Sequence, residues 1–291
     1  MSAPLLQISN LAVDYTRHRK TTRVVHHVSA TIAAGETLGL VGESGSGKST
    51  IGNVVLGLVP AAEGTITFDG EDITHATPKR RRELTREIQV IFQDPYGSLN
   101  PARTIGATLA ESLVASDRTL RKRNVAARVT EALDTVGMAT GTAARYPTEF
   151  SGGQRQRIAI ARALIVKPRL VVCDEAVSAL DLSIQAQVLN LLDELRRERD
   201  LSYLFISHDI AVIGHISDHI AVLDKGRIVE AGPTGTVIDN PQAPYTRLLL
   251  AAAPVPDPAA QKARREAFRT QRTEYLKSTG DETVNISTTR L

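Results

Sequence analysis

The stretch from Gly42 to Thr50 constrains this 291-residue chain more than any other part of its sequence. It reads Gly-Glu-Ser-Gly-Ser-Gly-Lys-Ser-Thr and fits the pattern G-x-x-x-x-G-K-[ST]. Its glycines allow successive backbone N–H groups to form a concave nest for anionic oxygens. Lys48 adds a positive charge for β- and γ-phosphates, and the Ser49 hydroxyl suits Mg²⁺. The residues predicted to surround the phosphates are Gly42, Ser44, Gly45, Gly47, Lys48, Ser49 and Thr50.

The context of this loop supports the phosphate-binding interpretation. An apolar segment at 37–41 predicts a strand before it, and residues 49–56 predict a helix after it, which ends near Gly57. A helix that begins at the loop would aim its N-terminus at the phosphates. The alternative, a glycine-rich turn without a ligand, does not need this strand–loop–helix arrangement.

Composition narrows the class of protein. A hydrophobic content of 42% is ordinary for a globular protein, and a net charge of +3 is too small to indicate a nucleic-acid partner by itself. No apolar run reaches the roughly 20 residues of a membrane span, and no signal peptide pattern opens the chain, so we expect a cytoplasmic protein. Cys173 is the single cysteine, which excludes an internal disulfide and a multi-cysteine metal or iron–sulfur site within the chain.

A second candidate site element lies at 170–175, where an apolar run ends in Asp174 and Glu175. Such a run predicts a strand buried on both faces in a parallel sheet, and ligands bind at the carboxyl ends of such strands. Asp174 can hold Mg²⁺ through its water shell, and Glu175 can act as a general base on an attacking water. Cys173 is interpreted as a small buried residue.

Four further features have alternative interpretations. Ser151-Gly152-Gly153-Gln154 at a helix start predicts a second anion-binding nest, although Ser-Gly-Gly is also a common linker. His208, just beyond a strand at 203–206, either contacts a γ-phosphate or caps the next helix. Tyr15 either stacks on a nucleobase or is a half-buried strand tyrosine. The charged run at 79–87 predicts a solvated helix face rather than a nucleic-acid patch, because acids are interleaved.

Taken in order, these motifs resemble those of the ATP-binding subunit of ATP-binding-cassette (ABC) transporters, over roughly residues 5–255. The resemblance implies that Tyr15 stacks on adenine, that 151–154 is the signature motif and that Gln93 is the Q-loop glutamine, which helps to place metal and water and faces the membrane subunits. It also implies that Asp174 is the Walker B aspartate, Glu175 the catalytic glutamate and His208 the switch histidine. The metal ligands would be Ser49, Gln93 and Asp174, and the cofactors ATP and Mg²⁺.

The resemblance also implies the fold and the domain organisation. We expect an α/β P-loop ABC cassette with a mainly parallel core sheet, an N-terminal antiparallel β subdomain and an inserted helical subdomain at about 100–165. The cassette would occupy residues 1–255, and the polar tail at 256–291 would be loosely ordered.

Two segments, 93–101 and 240–246, resemble the oligopeptide/dipeptide/nickel importer branch. Ala243 stands where that branch often has histidine, and Phe150 and Ala176 are conservative departures. Many members of the branch carry C-terminal cysteines. This chain has none there, which argues against an iron–sulfur site.

The partners implied are two transmembrane permease subunits, a second cassette that forms a homo- or heterodimer with ATP in between, and, indirectly, an extracytoplasmic solute-binding protein, but no nucleic acid. The chain would lie at the cytoplasmic face of the cell membrane. A soluble cassette ATPase, such as one in a phosphonate carbon–phosphorus lyase complex, is the main alternative. A nucleic-acid-handling cassette is a weaker alternative. A small-molecule kinase is a further alternative, but it would not need the motif at 151–154.

Overall fold

The computed structural model describes residues 3–18, 20–94, 97–116 and 120–253, together with five later positions, which are Phe268, Arg269, Gln271, Arg272 and Tyr275. Its strands are β1 (Leu6–Arg17), β2 (Lys20–Ile32), β3 (Thr37–Val41), β4 (Glu63–Phe68), β5 (Glu71–Asp72), β6 (Ile88–Ile91), β7 (Leu170–Asp174), β8 (Ser202–Ser207), β9 (His219–Asp224) and β10 (Arg227–Pro233). Its helices are α1 (Lys48–Val55), α2 (Pro78–Leu84), α3 (Ile105–Ser116), α4 (Lys122–Thr135), α5 (Gly152–Leu164), α6 (Leu182–Arg199), α7 (Ile210–Ile216), α8 (Thr234–Asp239) and α9 (Pro244–Ala252).

These strands form two sheets. The smaller is antiparallel with the order β2-β1-β4-β5, and the larger has the order β10-β9-β3-β8-β7-β6. In the larger sheet β9, β3, β8, β7 and β6 run parallel, and only β10 pairs antiparallel among the described strands. The α/β fold with a mainly parallel core sheet and an N-terminal antiparallel sheet is therefore confirmed.

The core sheet is buried on both faces, as its apolar strands predicted. Val171 and Cys173 of β7 point into one hydrophobic cluster, which the sheet shares with α3 to α9. Leu170 and Val172 point into the other, which holds α1 and the small antiparallel sheet. Cys173 is fully buried, so its interpretation as a small core residue is confirmed.

The segment between β6 and β7 contains α3, α4 and α5. The apolar face of α4 packs into the first of these clusters, because Val125, Val129, Ala132 and Leu133, together with Val136 just after the helix, are all buried. The division of the chain into a cassette at 1–255 with an inserted helical subdomain stays a prediction. Most of the expected loosely ordered tail at 256–291 lies outside the described residues, as do Pro95 and Tyr96 of the segment at 93–101.

Candidate nucleotide-binding site

The phosphate loop joins β3 to α1, and the side chain of Lys48, the first residue of α1, folds back against the loop. The Lys48 Nζ donates to the backbone oxygens of Gly42 at 2.7 Å and Glu43 at 2.6 Å, and its side chain is almost fully buried. Burial lowers the pKa of the Lys48 ammonium, and the nearby carboxylates of Glu175 and Asp174 oppose that shift. The predicted strand–loop–helix arrangement is confirmed, and it holds a buried lysine inside the curve of the loop.

Two glycines of the loop are required by geometry. Gly47 adopts a left-handed φ of 103° as the residue that precedes α1, a conformation that suits glycine. A Cβ at Gly42 would lie 2.0 Å from the backbone oxygen of Leu223, so no larger residue fits there. Ser44, Gly45 and Ser49 are exposed, and Thr50 is half-buried. The loop thus exposes Ser44, Gly45 and Ser49 on one side, while Gly42 packs against Leu223 on the other.

Ser49 of α1 and Asp174 at the end of β7 are in direct contact. The Ser49 hydroxyl donates to Asp174 Oδ1 at 2.8 Å. Burial raises the pKa of the Asp174 carboxyl, and the hydrogen bond from Ser49 partly offsets this. A hydroxyl and a carboxylate are hard oxygen donors, which is the chemistry that Mg²⁺ prefers, so this pair fits a magnesium ion.

Glu175 and His208 also come together, because β7 and β8 are adjacent and end at the same edge of the sheet. His208 Nδ1 lies 3.4 Å from Glu175 Oε2. This interaction lowers the pKa of the Glu175 carboxyl and raises the pKa of the His208 imidazole. Glu175 has a left-handed φ of 50°, and its N–H donates to the backbone oxygen of Ile206 at 3.0 Å. Asp209, rather than His208, caps α7.

The motif at 151–154 forms the start of α5. Ser151 Oγ accepts from the Gln154 N–H at 3.4 Å, and the Ser151 N–H donates to Gln154 Oε1 at 3.0 Å, so the two residues form a capping box. A Cβ at Gly153 would lie 2.5 Å from Ile184 Cγ2, so α5 packs tightly on α6 here. Gly152 lies beside Gly153 in the same turn. The motif thus contacts its own helix and α6 rather than this chain's phosphate loop.

Gln93 and Tyr15 lie on exposed surfaces. Gln93 follows β6 and is exposed, next to the partly exposed ring of Phe92. Tyr15 lies in β1 opposite Thr22, and 43% of its surface is exposed. Both positions leave room for a ligand or partner, and their roles stay predictions.

A groove of about 210 Å³ lies beside Phe92 and is lined by Val55, Leu58, Leu84 and Val90 among others. A larger cavity, of about 460 Å³, is bordered by Pro168, Arg169 and Leu201, at the amino ends of β7 and β8. It lies at the opposite edge of the sheet from Asp174 and His208, so it is not part of the site described above. Over the described ranges, none of the helices has the length and apolar character that crossing a bilayer would need.

The fold and the site together define a P-loop nucleoside-triphosphate-binding cassette. A family profile described as ABC transporter matches residues 25–178, and a second, described as oligopeptide/dipeptide transporter, C-terminal region, matches residues 229–279. The chain belongs to the ATP-binding proteins of the ABC transporter family, and it is an ATPase of that family.

The similar proteins of known name are ATP-binding proteins of transport and import systems. The chain is 47% identical over 266 residues to the oligopeptide transport ATP-binding protein OppF of Bacillus subtilis, covering 91% of this chain and 87% of that one. It is also 47% identical to the glutathione import ATP-binding protein GsiA of Escherichia coli, covering 98% of this chain but only 46% of that one. The chain thus spans about half the length of the glutathione protein.

Solved structures agree with the fold. The ATP-binding cassette MJ0796, in a dimeric post-hydrolysis state bound to ADP and Pi, superposes with a TM-score of 0.71 at 26% identity, covering 79% of this chain and 98% of that one. The cassette cbiO1 of Clostridium perfringens has a TM-score of 0.74 at 23% identity, covering 94% of this chain and all of that one, and it supports the fold alone.

Proposed function

We propose that this chain is the ATP-hydrolysing subunit that energises an ABC importer of oligopeptides, dipeptides or similar small solutes. The observation that carries this proposal is the meeting of Lys48, Ser49, Asp174, Glu175 and His208 at one edge of the core sheet, in a chain whose residues 229–279 match the C-terminal region of peptide transporters. The relatives are named for import, so the soluble alternative in a phosphonate-cleaving complex gains no support from them.

The site residues have different roles in ATP hydrolysis. The loop N–H groups and Lys48 bind the triphosphate of ATP, because donors fixed in advance stabilise charge on the γ-phosphoryl group. Glu175 accepts a proton from water as the water oxygen bonds to the γ-phosphorus and the bond to the β–γ bridging oxygen breaks. The interaction with His208 lowers the pKa of the Glu175 carboxyl and orients it for this step.

Ser49 and Asp174 would hold Mg²⁺, and Gln93 would complete its surroundings. When bound, the ion would neutralise charge on the phosphate oxygens. The hydrogen bond of 2.8 Å from the Ser49 hydroxyl to Asp174 Oδ1 supports this assignment, because it places the two oxygen donors side by side. This chain's own contribution is to keep the two oxygen donors beside the loop that binds the phosphates.

A second cassette would complete the site. Ser151 and Gln154 are exposed at the start of α5, with the half-buried Gly152 and Gly153 between them, which leaves this motif open to a partner cassette. The signature of a partner cassette would cover the ATP that this chain binds, and this chain's signature would serve the partner. ATP binding would join the cassettes and hydrolysis would release them. The partner is either another copy of this chain or a different cassette. Tyr15 would stack on the adenine ring.

Two transmembrane permeases would receive this motion, and we place the chain at the cytoplasmic face of the membrane. The groove beside Phe92, together with the exposed Gln93 and the 64% exposed Leu58, offers an apolar surface for a short permease segment. An extracytoplasmic solute-binding protein would select the cargo without touching this chain. No nucleic acid takes part.

His208→Ala is expected to lower kcat for ATP hydrolysis by about 10²-fold, near the lower end of what a positioned proton-transfer group contributes. The reason is that Glu175 loses the imidazole that orients its carboxylate. His215→Ala is the matched control, because His215 lies on α7 and pairs with Asn190 instead. Steady-state phosphate release measures both variants. Equal rates in the two would contradict a role for His208.

Purification of the tagged chain from native membranes tests the importer function. We expect two multi-span permeases to be recovered by mass spectrometry, together with a solute-binding protein that identifies the cargo. Recovery of soluble enzymes only, with the chain absent from the membrane fraction, would contradict the importer function and leave the ATPase activity in place.

A further inference from the structure

The outer side of the phosphate loop contacts the C-terminal part of the chain. The Glu43 N–H donates to the hydroxyl of Tyr245 at 3.0 Å, although the two residues are 202 positions apart in sequence. Tyr245 lies in the first turn of α9 and is only 2% exposed, so this hydrogen bond is shielded from water. A buried N–H that lost its acceptor would carry the full cost of its desolvation.

The peptide group between Gly42 and Glu43 is held at both ends. Its N–H donates to Tyr245, and its carbonyl, which belongs to Gly42, accepts from Lys48 Nζ at 2.7 Å. A peptide unit is planar, so fixing its N–H also fixes the direction of its carbonyl oxygen. Tyr245 therefore sets the orientation of a group that Lys48 contacts directly.

A second tyrosine supports this arrangement. The ring of Tyr275 lies 5.6 Å from that of Tyr245, and its hydroxyl donates to Asp224 Oδ2 at 2.5 Å. Two residues beyond Asp224, the Gly226 N–H donates to the Ser46 backbone oxygen at 2.9 Å. The phosphate loop is thus held from outside at two points, and both points connect to the tyrosine pair. Burial raises the pKa of Tyr245, so its hydroxyl stays neutral and can accept the Glu43 N–H.

We propose that Tyr245 is a positioning residue of the nucleotide site, through which the C-terminal segment holds the phosphate loop in its binding conformation. This inference rests on the proposed function of the loop, because it concerns how tightly the loop binds a nucleotide. It assigns to Tyr245, and through it to α9, a direct effect on ATP affinity in addition to any effect on folding.

The test is Tyr245→Phe in the full-length chain, which removes one oxygen and keeps the ring in its pocket. We expect the Kd for a fluorescent ATP analogue, and the KM for ATP, to rise about tenfold. The reason is that the binding conformation of the loop would then contain an unsatisfied Glu43 N–H, whose free-energy cost is about that of a tenfold change in affinity. The expected change in kcat at saturating ATP is smaller than the change in KM.

Tyr203→Phe is the matched control. The Tyr203 hydroxyl donates to the backbone oxygen of Leu192 at 3.1 Å, is equally buried, and lies at the amino end of β8, away from the loop. Both variants lose one buried tyrosine hydrogen bond, so their melting temperatures should fall by similar amounts. Only Tyr245→Phe should bind the nucleotide more weakly. An unchanged Kd for Tyr245→Phe, or an equal rise in both variants, would overturn the inference.

Lys48→Ala in the same titration separates this inference from the function on which it rests. If Lys48→Ala loses binding while Tyr245→Phe binds like the wild type, the loop binds the nucleotide and only the role of Tyr245 is wrong. If Lys48→Ala also binds like the wild type, the assignment of the phosphate loop is wrong and the inference falls with it.

Discussion

Glu175→Gln is expected to lower ATP hydrolysis by about 10²- to 10⁴-fold, the range that a positioned general base contributes. Glutamine has nearly the same shape as glutamate, but its amide cannot accept the proton of the attacking water. ATP binding should survive, because the phosphates are held by the loop and by Lys48 rather than by Glu175. Bound ATP should therefore persist, and with it the association of two cassettes.

Two measurements check this expectation. Single-turnover hydrolysis gives the rate of the chemical step, and size-exclusion chromatography with and without ATP shows whether a dimer accumulates. Glu198→Gln is the matched control, since it is the same substitution at an exposed position of α6. Turnover of Glu175→Gln at the wild-type rate would show that another group is the base.

Much of this site could be predicted because its residues belong to short local patterns. The loop at 42–50, the apolar strand that ends at Asp174, and the helix start at Ser151 each depend on neighbours in sequence. Parallel strands then bring their carboxyl ends to one edge, so the meeting of Asp174 with Ser49 follows from topology. The structure adds the distances and the hydrogen-bond partners.

Other features depend on contacts between distant residues, which sequence patterns do not reveal. The local pattern left two roles open for His208, and its place 3.4 Å from Glu175, with Asp209 as the helix cap, favours the role at the nucleotide that the family resemblance implied. Tyr245 entered the prediction only as part of a segment typical of one importer branch. No local signal indicates that its hydroxyl reaches Glu43, because that contact requires α9 to pack against α7 and β10 with its first turn beside the loop.

Lys48→Ala is expected to raise the Kd for ATP by at least about 100-fold. Each hydrogen bond to a charged group contributes roughly 1.5–3 kcal/mol, and the ammonium of Lys48 would make more than one with the β- and γ-phosphates. The change also leaves the backbone oxygens of Gly42 and Glu43 without their partner, so the free protein should be less stable as well.

The measurement must therefore separate lost binding from lost stability. A ligand that binds the native state raises its melting temperature by mass action. The wild type should show such a shift with Mg²⁺-ATP, and Lys48→Ala should show none at the same concentration, whatever its own starting value. Lys79→Ala is the matched control, because Lys79 is an exposed lysine on α2, outside the site, and should keep the full shift. An equal shift in Lys48→Ala would mean that the loop at 42–50 does not bind the phosphates of ATP.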